Sequence, residues 1–444
     1  MVRVAFYTLG CKLNQAETES LAGQFGQAGY QLVAADNVAD IYIANTCTVT
    51  HVADRKSRHW LRAAKRRNTG ALVIATGCYA QRAPQELAPI ADLVVDNEEK
   101  EHLVEVASGW SLQAPRDVRL LRFTRNDRET GIARVRSLIK IQDGCRSPCA
   151  YCIVPRVRAY EYSLPASQLI NEVKLKVALG YREVVLTGTK IGSYKDAVLS
   201  DSERSSIDLR GLIELILCDT DIKRLRLSSL QPQEISAQFL SLWQDGILSR
   251  SPEPSEGHRL CCHFHLALQS GSDTVLQRMR RRYSLDDYQR AINLIRGAIP
   301  EVAITTDVMV GFPGESDEEF EQSYHFCQQA GFANIHVFPF SPRPGTLAAR
   351  MPQQIDERVK KERKQRMLEL AQECRHSFYQ QFLGQVMPVL WEKETSLDSG
   401  IYSGLTDNYI RVFTQSYKSL TNKIVLVKLM GFHNQGMWGE LVEN

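Results

Sequence analysis

The sequence predicts an α/β protein with three parts: an N-terminal domain built on a parallel sheet, a central partial (βα) barrel, and a small all-β barrel at the C terminus. Strand-like apolar runs alternate with helix-like segments through most of the chain, three early runs share one ending, and short strands follow Gly384. We expect the domains to span residues 1–112, 131–370 and 380–444.

Length and composition set the first limits. The 444 residues exceed what one small core needs, and the formal net charge of +3 excludes a generally polycationic binder, so a nucleic-acid surface must be a local patch. The chain opens on an alternating apolar run without a basic leader, and no stretch reaches membrane-spanning length. We therefore expect a soluble cytoplasmic protein with no membrane partner. In a reducing compartment, its eleven cysteines indicate metal or reactive sulfur rather than disulfides.

Three apolar runs in the first third each end in small or polar residues and then a cysteine. These are Cys11, Cys47 and Cys78, the strand-end cysteines, and helix-like segments at 17–28 and 53–67 separate the runs. Because the carboxyl ends of parallel strands face one crevice, we expect the three thiols to meet there. A single such cysteine is more often a small buried hydrophobe. The repeated placement favours an iron–sulfur centre with one unsaturated iron.

The helix expected at 54–67 is strongly basic. A run of charges on a helix is usually a face exposed to solvent. Because this helix lies beside the strand-end cysteines in the sequence, contact with phosphates is the other interpretation.

Strand and helix signals alternate again after a polar stretch, which places the first domain boundary near 110–130. We expect a helix at 167–179 with Ser167 as its cap and Gly180 as its stop signal, and surface loops at 195–208 and 249–257. About six strand-helix units imply a parallel barrel, with its chemistry at the carboxyl ends of the strands. The expected strands are 134–141, 183–188, 224–228, 262–268, 303–310 and 335–340.

The first barrel strand leads into Cys145, Cys149 and Cys152, the loop cysteines, which are spaced CxxxCxxC on a short loop with glycine and proline. Zinc would need a further ligand, and the segment has no nearby histidine. A cubane cluster normally takes four cysteines, so three leave one iron open. The alternatives are zinc, a disulfide with a spare thiol, or unrelated buried cysteines, and the tight spacing on a loop disfavours them.

Polar and glycine residues follow several barrel strands. Glycine lets the backbone approach a ligand, and Asp or Gln can bind ribose hydroxyls or an amino group. His263 and His265 alternate along one strand, which indicates core or rim histidines rather than ligands. The candidate cofactor contacts at the barrel rim are Thr187, Gly188, Gln269 and Asp307.

The last third predicts a connecting helix at 356–382 and then five short strands, at 385–391, 401–405, 409–414, 424–428 and 438–442. Such strands suggest a small barrel of the oligonucleotide-binding kind. The aromatic residues Tyr402, Tyr409 and Trp438 could stack on bases, and the alternative is a stabilising cap.

In combination, these motifs resemble the methylthiotransferase family of radical S-adenosylmethionine (SAM) enzymes over nearly the whole chain. The residues that carry the resemblance are 10–15, 45–50, 76–81, 145–152, 265–273 and 304–315. The C-terminal module is similar to the TRAM domain, which binds RNA. The chain departs from the family pattern at Ala159, Leu164 and Ala267.

The resemblance implies that each cysteine group holds a [4Fe–4S] cluster with one open iron. The loop cysteines hold the radical-generating cluster, whose open iron is chelated by SAM, and Tyr151 fills the aromatic position before the last cysteine. The strand-end cysteines hold the auxiliary, sulfur-donating cluster.

Residues 10–14, Gly-Cys-Lys-Leu-Asn, resemble the branch that acts on threonylcarbamoyladenosine in tRNA, next to the anticodon. This implies addition of a methylthio group to C2 of the adenine, through a 5′-deoxyadenosyl radical made from SAM and sulfur supplied by the auxiliary cluster. The implied partners are tRNA, an electron donor such as flavodoxin or ferredoxin, and a sulfur source. The candidate tRNA phosphate contacts are Arg58, Arg62, Arg281, Arg282 and Arg343.

Alternatives stay open at this point. The same chemistry can act on isopentenyladenosine in tRNA or on a ribosomal-protein aspartate. A cobalamin-dependent radical SAM methylase also has a parallel-sheet domain before its barrel, but its Asp-x-His-x-x-Gly signature is absent from this sequence. A non-catalytic iron–sulfur protein that binds RNA is the third alternative.

Overall fold

The computed structural model describes residues 1–111, 135–199, 204–246, 251, 253, 256–396 and 398–442. The chain forms two compact units. The first comprises Met1–Arg134, Asp143–Glu161 and Ser341–Ala349, and the second comprises Val135–Gln142, Tyr162–Phe340 and Arg350–Asn444. Most of the predicted first boundary lies outside the described residues.

The first unit is built on a five-stranded parallel sheet of order β2-β1-β3-β4-β5. Its strands are β1 Arg3–Thr8, β2 Gln31–Val33, β3 Ile41–Thr46, β4 Leu72–Gly77 and β5 Leu93–Val94. Its helices are α1 Lys12–Gln27, α2 His51–Arg67, α3 Cys78–Arg82, α4 Pro84–Leu87, α5 Leu103–Ser111 and α6 Val154–Val157.

Helices cover both faces of this sheet, which is why β3 and β4 are buried along their whole length. Tyr42 packs with Trp60 on one face, whereas the next residue, Ile43, packs with Phe25 on the other. Alternate residues of a strand point to opposite faces, so both faces need apolar side chains. The predicted parallel-sheet domain is confirmed.

The second unit contains two four-stranded sheets, of order β11-β8-β6-β7 and β12-β13-β14-β15, and a two-stranded hairpin. A parallel bridge between Leu225 and Leu260 links the two sheets. The strands are β6 Arg136–Asp143, β7 Tyr162–Ser163, β8 Glu183–Gly188, β9 Lys195–Leu199, β10 Arg204–Asp208, β11 Arg224–Leu227, β12 Ser229–Leu230, β13 His263–Leu266, β14 Ala303–Val310 and β15 Asn334–Pro339. The helices are α7 Ala166–Ala178, α8 Leu209–Asp219, α9 Ala237–Gln244, α10 Asp273–Arg278, α11 Leu285–Ala298, α12 Asp317–Ala330 and α13 Glu357–Gln380.

The six predicted barrel strands correspond to β6, β8, β11, β13, β14 and β15, and the partial barrel is confirmed. Two local predictions were wrong. The cap of α7 is Pro165 rather than Ser167, because the helix begins one residue earlier than expected. Residues 195–199 and 204–208 pair as the antiparallel hairpin β9–β10 rather than lying in a loop, since a polar two-stranded ribbon lacks the apolar alternation that marks a strand. Most of 249–257 lies outside the described residues.

A closed five-stranded barrel of order β16-β17-β18-β20-β19 ends the chain. Its strands are β16 Val386–Glu394, β17 Ile401–Thr406, β18 Arg411–Gln415, β19 Ile424–His433 and β20 Gly436–Leu441. Their inward residues form one apolar core that includes Val389, Trp391 and Val427. The predicted small β barrel is confirmed.

The C-terminal barrel packs on the amino-terminal ends of the central strands. Arg224, the first residue of β11, donates hydrogen bonds from its two terminal nitrogens to the carbonyl oxygens of Leu405 and Pro388, both at 2.9 Å. Arg226 forms a fully buried ion pair with Glu183 at 2.7 Å and also donates to the Asp407 carbonyl at 2.9 Å. These contacts place the barrel at the end of the strands opposite to their carboxyl ends.

The aromatic residues proposed for base stacking are engaged inside the second unit. Tyr402 is buried and donates its hydroxyl to Glu394, and Tyr409 stacks on His263 with ring centres 4.4 Å apart. Trp438 lies half-buried against His433. The described barrel instead exposes Tyr417, on the turn after β18, and Phe432, which stacks on His376. Among the described helices, none has the length and apolar character that crossing a membrane requires.

Candidate functional site

The structure places the strand-end cysteines at the carboxyl edge of the parallel sheet. Cys11 caps α1, Cys47 directly follows β3, and Cys78 is the first residue of α3. Gly10 has a φ of +105°, and a Cβ atom there would lie 2.8 Å from the sulfur of Cys47. Only glycine therefore allows this close approach of the first two cysteine loops.

Burial makes Cys47 and Cys11 poor anions on their own. Desolvation raises the pKa of Cys47 to about 12, and the neighbouring Cys78 and Cys11 thiolates add to this shift. Desolvation also raises the pKa of Cys11, although its side chain still reaches solvent. Because a metal centre deprotonates the thiols that bind it, two neighbouring thiols that resist ionisation without a cation fit such a centre.

The loop cysteines lie in the same unit, on the segment Asp143–Glu161. Gly144 has a φ of +75°, and a Cβ atom there would lie 1.8 Å from the Tyr160 carbonyl oxygen, so the two ends of the loop are pressed together. The Cys145 amide donates to the Arg158 carbonyl at 3.4 Å, and the Cys152 amide donates to the Cys149 carbonyl at 3.1 Å. The loop is therefore a closed turn whose cysteines are all partly exposed.

The two cysteine groups share one apolar contact and one supporting segment. Cys78 packs against Ile153 and Val157, which follow the last loop cysteine. Residues 341–349 touch both regions: the Ala348 amide donates to the Ala150 carbonyl at 2.8 Å, and the Arg343 side chain reaches α2. Sequence reasoning missed this supporting role, although the Pro-Arg-Pro-Gly run at 342–345 marks a rigid turn.

The sulfurs of the two cysteine groups are not gathered around the position of a single ion. In the described part of the chain, the ligand atoms that all lie within 4.8 Å of one another are those of His258, Cys262 and Asp407, not those of either cysteine group. That triad faces the buried charges of Arg224 and Arg226, which disfavour a cation, and we interpret it as a hydrogen-bonded imidazole and carboxylate beside a neutral thiol. Each cysteine group offers three thiol ligands, a donor set that suits soft metals and iron–sulfur clusters.

The four predicted cofactor contacts of the second unit lie at the carboxyl ends of its strands. Thr187 and Gly188 end β8, and Thr187 is buried. Gln269, three residues after β13, is buried with a φ of +71°, and its Oε1 atom has no hydrogen-bond partner among the described residues. A residue with a strained backbone and a buried hydrogen-bond acceptor that lacks a partner indicates a position where a ligand binds. Tyr151 lies partly buried in the first unit.

Asp307 has two histidine partners. Its carboxylate lies 3.2 Å from His265 and 3.2 Å from His336. Burial opposes ionisation, but the hydrogen bonds from both imidazoles lower the pKa of Asp307 below its usual value. The prediction that His265 is a satisfied rim histidine agrees with this arrangement. Asp307 therefore offers a fixed negative charge at the barrel rim.

The five predicted phosphate contacts differ in availability. Arg343 is only 1% exposed and pairs with Asp54 at 2.5 Å, so we withdraw it as a phosphate contact because binding would require breaking a buried ion pair. Arg58 bonds Tyr79 and lies 3.6 Å from Glu86. Arg281 bonds the Tyr283 hydroxyl at 3.0 Å, whereas Arg62 and Arg282 are exposed.

Two family models match the chain. The uncharacterized protein family UPF0004 covers residues 3–96, and the radical SAM superfamily covers residues 255–327. The threonylcarbamoyladenosine tRNA methylthiotransferase MtaB of Bacillus subtilis is 36% identical over 458 residues, which span 100% of this chain and 98% of that protein. The chain belongs to the methylthiotransferase family of radical SAM proteins. MtaB of Aquifex aeolicus is also 36% identical, over 96% of this chain and 100% of that protein.

A relative with a different printed activity also matches the chain. The tRNA-2-methylthio-N(6)-dimethylallyladenosine synthase of Syntrophotalea carbinolica is 32% identical over 99% of this methylthiotransferase and 100% of that protein. Among solved structures, the radical SAM methyltransferase TsrM of Kitasatospora setae, with cobalamin and a [4Fe–4S] cluster bound, aligns with a TM-score of 0.53. The identity is 14%, over 78% of this chain and 74% of that one, so the likeness concerns the fold. The cofactors of this methylthiotransferase are two [4Fe–4S] clusters and SAM.

Proposed function

We propose that this methylthiotransferase adds a methylthio group to C2 of N6-threonylcarbamoyladenosine next to the anticodon of tRNA. The observation that carries the proposal is whole-chain similarity to four relatives with this printed activity, at 34% to 36% identity over at least 93% of the chain. The geometry supports it, because two separate groups of three cysteines lie in one unit. Hydrogen abstraction and sulfur supply need two such centres.

The chain's residues would hold and orient the cofactors. The loop cysteines would hold the radical-generating cluster, and the strand-end cysteines the sulfur-donating one. When bound, the clusters and SAM supply what no side chain can, namely homolytic attack on an unactivated C–H bond and delivery of sulfur. The closed turn from Gly144 to Tyr160 fixes the loop cysteines, and Gly10 allows the strand-end loops to approach.

We expect Gln269 to contact SAM, since its buried Oε1 needs a donor such as a ribose hydroxyl or the amino group of SAM. The substitution Gln269→Met keeps the side-chain length but removes this acceptor. It should raise the Kd for SAM about tenfold, the effect of one buried hydrogen bond of roughly 1.5 kcal/mol. Equilibrium dialysis of anaerobically reconstituted protein measures this. Gln277→Met, on the exposed side of α10, is the matched control and should leave the Kd unchanged. An unchanged Kd for Gln269→Met would show that Gln269 does not contact SAM.

The exposed face of α2 is the best candidate surface for tRNA phosphates. Arg55, His59, Arg62 and Arg66 follow the spacing of one helix face, and all four are exposed. None of the three arginines has an ion-pair partner among the described residues. Of these four residues, the sequence predicts only Arg62 as a phosphate contact. Helix periodicity alone does not show which side of α2 packs on Tyr42 through Trp60.

Arg62→Ala should weaken binding to every tRNA about equally and lower the slope of log K against log salt by about one, since one phosphate contact is lost. Filter binding between low and moderate salt measures both quantities. Arg366→Ala is the control, because Arg366 is exposed but pairs with Glu321 in the second unit. An unchanged slope for Arg62→Ala would exclude the contact.

We assign the domains to 1–112, 131–370 and 380–444, and the closed barrel β16–β20 supports a TRAM module that binds RNA. We propose that Tyr417, which is exposed on a turn of this barrel, stacks on a base. The enzyme would work in the cytoplasm, where tRNA is modified, with flavodoxin or ferredoxin as electron donor and a separate sulfur source.

Nucleoside mass spectrometry of tRNA from cells lacking the gene tests the substrate. We expect 2-methylthio-N6-threonylcarbamoyladenosine to disappear and its precursor to accumulate. The second candidate substrate is dimethylallyladenosine, because a relative with that printed activity is 32% identical over 99% of the chain. Loss of its methylthio derivative instead would select this second substrate. Persistence of both products, with no second enzyme present, would contradict both assignments.

A further inference from the structure

A buried polar network joins the two cysteine groups, and its centre is Arg158. One terminal nitrogen of Arg158 donates to Glu17 at 2.7 Å and to Asp143 at 2.6 Å, and the other donates to Asn14 at 3.0 Å. The Arg158 side chain is 4% exposed and that of Glu17 6%. Lys100 completes the network by donating to Glu17 at 2.6 Å. We call these five residues the linking network.

The linking network holds the backbone next to both groups of cysteines. The Asn14 amide group donates to the Leu9 carbonyl at 2.9 Å and to the Thr46 carbonyl at 3.0 Å, just before Cys11 and Cys47. On the other side, Asp143 accepts from the Gly144 amide at 2.7 Å, and Arg158 accepts from the Cys145 amide with its own carbonyl. One guanidinium group therefore fixes the loops of both sites.

The charges of the network balance. Arg158 and Lys100 carry two positive charges, and Glu17 and Asp143 carry two negative charges, all in the protein interior. Arg158 is close enough to Cys78 for their charges to interact. Removal of one charge leaves its partner uncompensated at low dielectric, where its field on a neighbouring cluster is weakly screened.

We propose that Arg158 is a positioning residue which fixes the two cluster sites relative to each other and, with Glu17, sets the reduction potential of the auxiliary cluster. This inference rests on the proposed assignment of the clusters to the two cysteine groups. Reduction adds one negative charge to a cluster, so a nearby cation favours reduction and a nearby anion opposes it. Arg158→Gln should therefore lower the potential, and Glu17→Gln should raise it.

Redox titration of the anaerobic holoenzyme, followed by electron paramagnetic resonance, tests this inference. SAM alters the signal of the radical-generating cluster, which separates it from the auxiliary signal. The variants are Arg158→Gln, Glu17→Gln and Arg158→Lys. Arg158→Lys keeps the positive charge but has one donor nitrogen instead of the two terminal nitrogens of the guanidinium group. Glu183→Gln is the matched control, because Glu183 is an equally buried partner of an arginine in the second unit. Iron content is measured for each variant.

We expect shifts of opposite sign for Arg158→Gln and Glu17→Gln, a value near the parent for Arg158→Lys, and no shift for Glu183→Gln. A purely structural role would not produce opposite signs. Shifts in the same direction, or none in variants that keep their iron, would overturn the inference. Loss of auxiliary-cluster iron from both variants would also overturn it, because the network would then only hold the fold. If the parent itself binds one cluster, the proposed function fails; if it binds two and the potentials do not move, only this inference fails.

Discussion

Cys47→Ala should abolish methylthio transfer while SAM cleavage persists. Cys47 belongs to the strand-end group, so its loss should remove one cluster and about half of the bound iron. The loop cysteines and the closed turn that carries them stay intact, so the reductive cleavage of SAM to methionine and 5′-deoxyadenosine should continue. Liquid chromatography of the SAM products and nucleoside analysis of the same reaction measure both activities.

Cys218→Ala is the control for this substitution, because Cys218 is exposed on α8 in the second unit and belongs to neither group. It should keep full iron content and both activities. Unaltered iron in Cys47→Ala would contradict the assignment of the auxiliary cluster. Loss of SAM cleavage together with sulfur transfer would show that the two sites cannot be separated in this way.

Cys149→Ala should abolish both activities. Cys149 is the middle loop cysteine, and without it the radical-generating cluster loses one of its three protein ligands. Iron should again fall by about half, but no 5′-deoxyadenosine should form and no tRNA should be modified. The contrast with Cys47→Ala matters most, since equal iron loss with different products assigns a role to each group. Continued SAM cleavage by Cys149→Ala would contradict the assignment.

Much of the fold could be predicted because its signals are local. The apolar runs before Cys11, Cys47 and Cys78 are β strands as predicted. Of these, β3 and β4 are buried along their whole length, and such parallel strands need apolar residues on both faces. The strands β8 and β14 have the predicted bounds for the same reason. The hairpin β9–β10 was missed because its polar sequence carries no such pattern.

The parts of the site that depend on distant contacts could not be predicted. Arg343 is a basic residue on a turn, and its sequence does not show that it is buried against Asp54, 289 residues away. Likewise, the sequence suggests that Tyr409 stacks on bases, but its ring stacks on His263 within the protein. The linking network around Arg158 was missed too, because it joins residues up to 144 positions apart through hydrogen bonds that leave no periodic signal.

Iron and Mössbauer analysis of anaerobically reconstituted protein tests the central claim most directly. The parent should bind about eight iron atoms as two [4Fe–4S] clusters, each with one distinct iron site, and replacing either all three strand-end cysteines or all three loop cysteines with alanine should leave about four. A parent that binds about four iron atoms, or two clusters without a distinct iron site, would contradict the account.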